Sequence, residues 1–249
     1  MEQNRFQQYS GTQNVSYQAA DSTTLTVNAY AARTFLWMFL GVLVTFGVAA
    51  ALAYTGVLDR MLGTNRGLSV ALLLLPLIVL LAVGAILGLR LQKMRVATAR
   101  ILFLVYAAVM GFTVAFYLVY YDVRSVVLAF AVSAIFFGAL AALSYFMKWQ
   151  LEGIAPVLFA GLIALVVLTI LTIFIHSSML STIICYVGVA IFLGYTAYDT
   201  AKIRDIYYTY YGQDAAMLSK ASIFAAFQLY LDFINLFLYI LRLMGRSND

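Results

Sequence analysis

The stretch Ser222–Leu241 reads SIFAAFQLYLDFINLFLYIL. It is almost wholly apolar, and its twenty residues are the length a helix needs to cross a hydrocarbon core of roughly 30 Å. Asp232 sits near its middle. A carboxylate at the centre of a bilayer costs about 2.5–3.5 kcal/mol on insertion scales, so it is turned away from lipid. Helical spacing puts Gln228 at i−4, Asn235 at i+3 and Tyr239 at i+7 on the face of Asp232, with Phe227, Leu231 and Leu238 opposite. A polar stripe of this kind belongs inside a helix bundle or along a wet cavity. What Asp232 meets there is the functional question.

The rest of the chain has the same character. Its 249 residues are 65% hydrophobic and 10% charged, where a soluble domain carries about 25% charged residues. Six further apolar runs of spanning length precede the first stretch. They run from about Thr34 to Tyr54, Leu68 to Leu89 (with Pro76 as a kink), Ile101 to Tyr120, Val126 to Phe146, Pro156 to Ile175 and Leu180 to Tyr198. This pattern predicts an all-α polytopic membrane protein, with one seven-helix domain over residues 34–249. Residues 1–33 are rich in Gln, Asn, Ser and Thr. They lack the basic start, apolar run and cleavage pattern of a signal peptide, and read as a disordered tail.

Composition removes several functions. The single Cys185 rules out an internal disulfide and a cysteine zinc cluster, and the single His176 rules out a histidine-rich metal site. His176 titrates near neutral pH, but a lone loop histidine is more simply solvated. The net charge of +5 does not indicate nucleic acid, because the basic residues lie between apolar runs and form no patch. No Ser–His–Asp set can be built around one loop histidine, and no phosphate-binding loop is present, so no enzymatic activity is expected. An intramembrane aspartyl protease also sets aspartates on two helices. The Gly-rich motif such proteases carry around the second Asp is absent about Asp232.

Orientation follows from Lys and Arg in short loops. Arg90, Lys93, Arg95, Arg100, Lys148, Lys202, Arg204 and Lys220 fall at one face, against Arg60, Arg66 and Arg124 at the other. Eight against three puts the N-terminus in the cytoplasm. Seven full crossings then place Arg242 and Arg246 outside, whereas a seventh segment that enters and returns keeps them inside. The sequence leaves both open.

Of the ten acidic residues, only Asp199 and Asp232 fall within or at the edge of apolar runs. Two carboxylates together in a low dielectric do not both ionise easily; they share a proton and titrate in two steps. Once ionised, such a pair attracts a hard cation with oxygen ligands, such as calcium. Spacing leaves their pairing open. Asp232 lies twelve residues beyond Lys220, roughly 18 Å along a helix, and Asp199 three residues before Lys202, roughly 5 Å. Straight helices leave a gap of about 10 Å, which closes if either helix is shifted. The alternative is that each Asp is separately satisfied, Asp232 by Tyr or Asn and Asp199 by Lys202.

The segments GYTAYDTAKI (Gly194–Ile203) and LYLDFINLFLYILRLMG (Leu229–Gly245) resemble the signature of the transmembrane Bax inhibitor family. Leu158–Thr200 is similar to that family's fifth and sixth helices, and RVATARILFLVYAAVMGFT (Arg95–Thr113) to the third helix of its bacterial members. The resemblance implies six helices around a central seventh. It also implies a pH-sensitive calcium leak with Asp199 and Asp232 as sensor and ion-binding site. Arg90 resembles a latch onto the sixth-helix Asp. Helical spacing, apart from the resemblance, makes Gln228 and Asn235 beside Asp232, and Tyr195 at i−4 from Asp199, supporting polar groups. Some members carry a Glu midway along the second helix; Leu75 to Gly84 holds no acid here. No cofactor is implied beyond calcium as the transported ion. The implied partners are the lipid bilayer and, in a second reading, a membrane-bound protease that the chain modulates as an adaptor. A proton-coupled transporter is a third reading. The bacterial-like third helix points to a bacterial inner membrane.

Overall fold

A computed structural model describes residues 26–57, 66–147, 151–175, 177–211 and 215–245. Every regular element among them is helical. In chain order these are α1 (Val27–Thr55), α2 (Arg66–Arg90), α3 (Val96–Tyr120), α4 (Val123–Met147), α5 (Ala155–Phe174), α6 (Ser178–Tyr210) and α7 (Ala215–Gly245). Short 3-10 turns, Leu91–Lys93 and Glu152–Ile154, follow α2 and precede α5. All seven helices are long and apolar enough to cross a membrane.

The helix ends are set by local chemistry. The Thr26 hydroxyl accepts from the Ala29 amide at 3.3 Å to start α1. This start lies ahead of Thr34, where the apolar run begins. Tyr30 and Ala31 are buried, so the helical domain reaches back into the stretch read as tail. The polar residues Asn28 and Arg33 had hidden this from a hydropathy reading. Residues 1–25, His176, Arg60 and Arg246 lie outside the described residues. At its other end α1 stops at Gly56, whose φ of 62° is a left-handed conformation that a side chain disfavours. Ser177 caps α6 through the Leu180 amide, and Pro156 sits in the first turn of α5.

α7 is the hub. In its most apolar stretch 67% of the residues are buried, against 39% or less in every other span. It packs chiefly against α1, α3, α4 and α6, while α2 lies on α3 and α5 lies on α6. Aromatic edges hold it from two sides. Phe103 and Tyr106 of α3 meet Phe227 and Tyr230 edge-on, and Phe130 of α4 meets Phe233 and Phe237. The outer helices turn apolar side chains outward, among them Leu36, Leu81, Ile135 and Val157. In water these would be a liability; in a bilayer they are the lipid-facing coat.

α7 crosses the whole bundle. Near its start the Lys220 ammonium donates to the Gln92 carbonyl in the turn before α3. Near its end Gly245 abuts the ring of Tyr121, at the far end of α3. A segment that enters and returns needs a break in the helix. α7 is one uninterrupted helix of 31 residues, so the returning alternative falls away.

Close approach relies on glycine where α3 meets α1. A Cβ on Gly111 would stand 2.5 Å from the Thr45 carbonyl oxygen and 2.8 Å from the Val48 Cβ. Beside it the Thr45 hydroxyl contacts the Ala107 carbonyl (2.9 Å) and the Tyr230 hydroxyl (2.7 Å), joining α1, α3 and α7 in one hydrogen-bonded group.

Candidate functional site

The site grows from the antiparallel contact of α6 and α7. α6 does not end near Tyr198, where its apolar run stops, but continues to Tyr210. Tyr207 is buried in that extension, with its ring 5.5 Å from that of Tyr30. Asp199 therefore lies eleven residues from the helix end, about 17 Å at helical rise, rather than at the interface. The contact has a fixed register. The Tyr239 ring lies against Gly188, where a Cβ would be 2.7 Å from it, and stacks on Phe192 with centroids 5.9 Å apart. Carried on toward the loop, that register brings Asp199 opposite Asp232.

The two carboxyls act directly on one another across the α6–α7 contact. Asp199 is 8% exposed and Asp232 is 4% exposed. A carboxylate accepts hydrogen bonds and donates none, so they share a hydrogen bond only when one partner carries a proton. Asp232 Oδ2 has no partner among the described residues. A buried polar atom without a partner costs about 1–3 kcal/mol, and more when charged.

The supporting residues divide. Tyr195, one turn before Asp199, lies within electrostatic reach of both carboxyls. Lys202 is the cation acting on Asp199, and its ammonium also contacts the Tyr198 hydroxyl at 3.4 Å. Asn235 turns its amide onto the Leu231 carbonyl at 2.8 Å, a bond within its own helix and not a bond to Asp232. Gln228 lines a cleft between α2, α6 and α7. Arg90 is exposed at the end of α2. The cation acting on Asp199 comes from its own helix.

Sequence reasoning passed over several polar groups. Thr200, next to Asp199, is fully buried, and its hydroxyl has no partner among the described residues. Ser144 of α4 donates to the Ala197 carbonyl at 2.6 Å, tying α4 to α6 beside the pair. Ser222 and Thr34 join α7 to α1 through a 2.9 Å hydroxyl contact. The signal was present: hydroxyls and a lysine inside apolar runs need partners. Which partner each finds depends on packing that spacing does not encode.

Among the described residues no three Asp, Glu, His or Cys side chains gather into a metal site. The pair offers at most four carboxylate oxygens. Calcium takes six to eight, so water must supply the rest.

Seven apolar spans, with a buried carboxyl on the sixth and another on the seventh, define a polytopic membrane protein with an acid pair inside its helical bundle. The model of the family described as inhibitor of apoptosis-promoting Bax1 matches residues 27–249. The chain belongs to this Bax inhibitor-1 family. It is similar to the inner membrane protein YbhL of Escherichia coli K12, with 34% identity over 219 residues, 88% of this chain and 92% of that one. A Deinococcus radiodurans protein is 37% identical over 226 residues, covering 90% of this chain and 92% of its own. The protein YrjE of Lactococcus lactis is 33% identical over 219 residues, 88% of this chain and 91% of that one.

Proposed function

We propose that this membrane protein is a calcium leak whose passage responds to pH through Asp199 and Asp232. The observation that carries the reading is two buried carboxyls acting on one another between α6 and α7, with Asp232 Oδ2 lacking a hydrogen-bond partner among the described residues. Protons and calcium compete for the same oxygens, so proton uptake and ion occupancy oppose each other. The pair serves as sensor and ion site together, and Tyr195 and Thr200 supply hydroxyls around it. Arg90 acts as latch in a conformation other than this one. The protein moves an ion rather than transforming a substrate.

The likeness to an Escherichia coli inner membrane protein supports placement in a bacterial inner membrane. The eight-to-three distribution of Lys and Arg supports a cytoplasmic N-terminus. With seven full crossings, Arg242 then sits at the outer face.

Calcium flux into proteoliposomes at acidic and near-neutral pH tests the reading. Wild-type protein is expected to pass calcium at rates that differ between the two conditions. Asp232→Asn keeps the shape and removes one titrating group, so the pH response should vanish. Unchanged flux and an unchanged pH response in Asp232→Asn would refute the assignment.

A further inference from the structure

A cleft of about 400 Å³ lies where the end of α2 and its following turn meet α6 and α7. Its wall along α7 runs from Met217 to Gln228, eleven residues or about 17 Å at helical rise. Gln228 is one turn before Asp232, so the inner end of the cleft stops just short of the acid pair. Its outer end lies by Gln92 and Tyr210, at the end of the bundle that carries Arg90, Lys93 and Lys220. At about 30 Å³ per molecule the volume holds on the order of ten waters, enough for an ion that keeps much of its hydration. The wall is polar at intervals, through Gln92, Tyr210, Lys202 and Gln228. Among the described residues Lys202 is the one charged side chain in it, and the same ammonium acts on Asp199.

We propose that this cleft is the wet approach to the acid pair from the basic end, and that Lys202 is the charge that meters which ions complete it. The inference rests on the pair being the ion site of the leak, and adds the route to it and a specificity-determining residue upon it. A cation moving inward meets a fixed positive charge at the last turn before two carboxyls. Lys202 repels it there while the pair attracts it, which keeps the leak slow. Without Lys202 the approach becomes electrically downhill throughout. An acyl chain filling the same cleft would exclude water and make the charge of a visitor irrelevant.

Thiol accessibility separates these cases. In full-length protein carrying Cys185→Ala and Gln228→Cys, in sealed vesicles, the introduced thiol should react with thiosulfonate reagents added at the side of the α2–α3 turn and not at the other. Adding Lys202→Gln should raise the rate for a cationic reagent and lower it for an anionic one. Each change should be on the order of tenfold, for one unit charge acting over about 10 Å at an effective dielectric of 20. A neutral reagent should be unaffected. Met217→Cys, at the outer end, is the reference for a folded and reachable cleft, and Phe224→Cys, one turn outward, replaces Gln228→Cys should that variant not fold. No reaction at the inner positions while Met217→Cys reacts, or rates blind to reagent charge, would overturn the inference. Modification does not depend on conduction. Flux with an unreactive inner cleft refutes the cleft alone, and charge-dependent modification without flux refutes the leak.

Discussion

Replacing Gly111 with alanine should loosen the α1–α3 seam, and the size of the effect can be worked from the structure. The new Cβ would lie 2.5 Å from the Thr45 carbonyl oxygen, where ordinary contact begins at 3.4 Å. The obstacle is backbone, so no rotamer relieves it, and α1 must retreat by about 0.9 Å. That movement stretches the 2.9 Å bond from Thr45 to the Ala107 carbonyl beyond hydrogen-bonding range. Overpacking of this kind costs about 1–3 kcal/mol. A lost interhelical hydrogen bond in a membrane protein adds about 0.6 kcal/mol. Alanine returns about 1 kcal/mol through its helix propensity over glycine. The expected net loss is about 0.6–2.6 kcal/mol, with strain setting the size. Gly47, on α1, provides the control: nothing lies within 4 Å of its Cβ position, so Gly47→Ala should be neutral or stabilising by about 1 kcal/mol at most. Thermal or denaturant unfolding of the two variants in detergent reads both. Gly111→Ala as stable as Gly47→Ala would refute the close approach of α1 to α3.

Other outcomes follow from single contacts. A double-mutant cycle on Thr45→Val and Tyr230→Phe should give a coupling of about 0.6 kcal/mol, and no more than about 1.7, from the 2.7 Å hydroxyl contact; additive effects would mean the two do not interact. Lys220→Met keeps the apolar stem but frees the Gln92 carbonyl, so trypsin should cut faster at Arg90, Lys93 and Arg95, and unchanged cleavage would refute the tether. Binding of radiolabelled calcium to the purified protein should strengthen as pH rises, because deprotonation frees the acceptor oxygens. Asp232→Asn should abolish most of that binding.

Seven apolar runs made the spans legible, because length and hydrophobicity alone decide whether a segment can lie in lipid. The acid pair was legible as two residues and not as a contact. Hydropathy closed the sixth run at Tyr198, which put Asp199 near an interface and left a depth mismatch of about 10 Å with Asp232. The helix in fact continues to Tyr210, held by Tyr207 packing on Tyr30, and the mismatch disappears. The same reasoning that hid that extension hid the start of α1, because mixed polar and apolar residues at a helix end carry no hydropathy signal. Arg90 was singled out by likeness to a family, and Lys202 by sequence only as a one-turn neighbour of Asp199. The register of α6 on α7, fixed by Gly188 and Tyr239, is what gives Lys202 its place.

The hub helix is also the last of the seven to be made. A chain emerges from the ribosome N-terminus first, so six spans reach the bilayer before the one that most of them embrace. Until α7 arrives, Phe103, Tyr106 and Phe130 have lipid where they will have aromatic edges, and Asp199 has no acid to share a proton with. Until then the bundle lacks the helix against which most of its spans pack. A ribosome that stalls before Ala215 leaves behind a bundle without that helix, which is the form that quality-control proteases would meet.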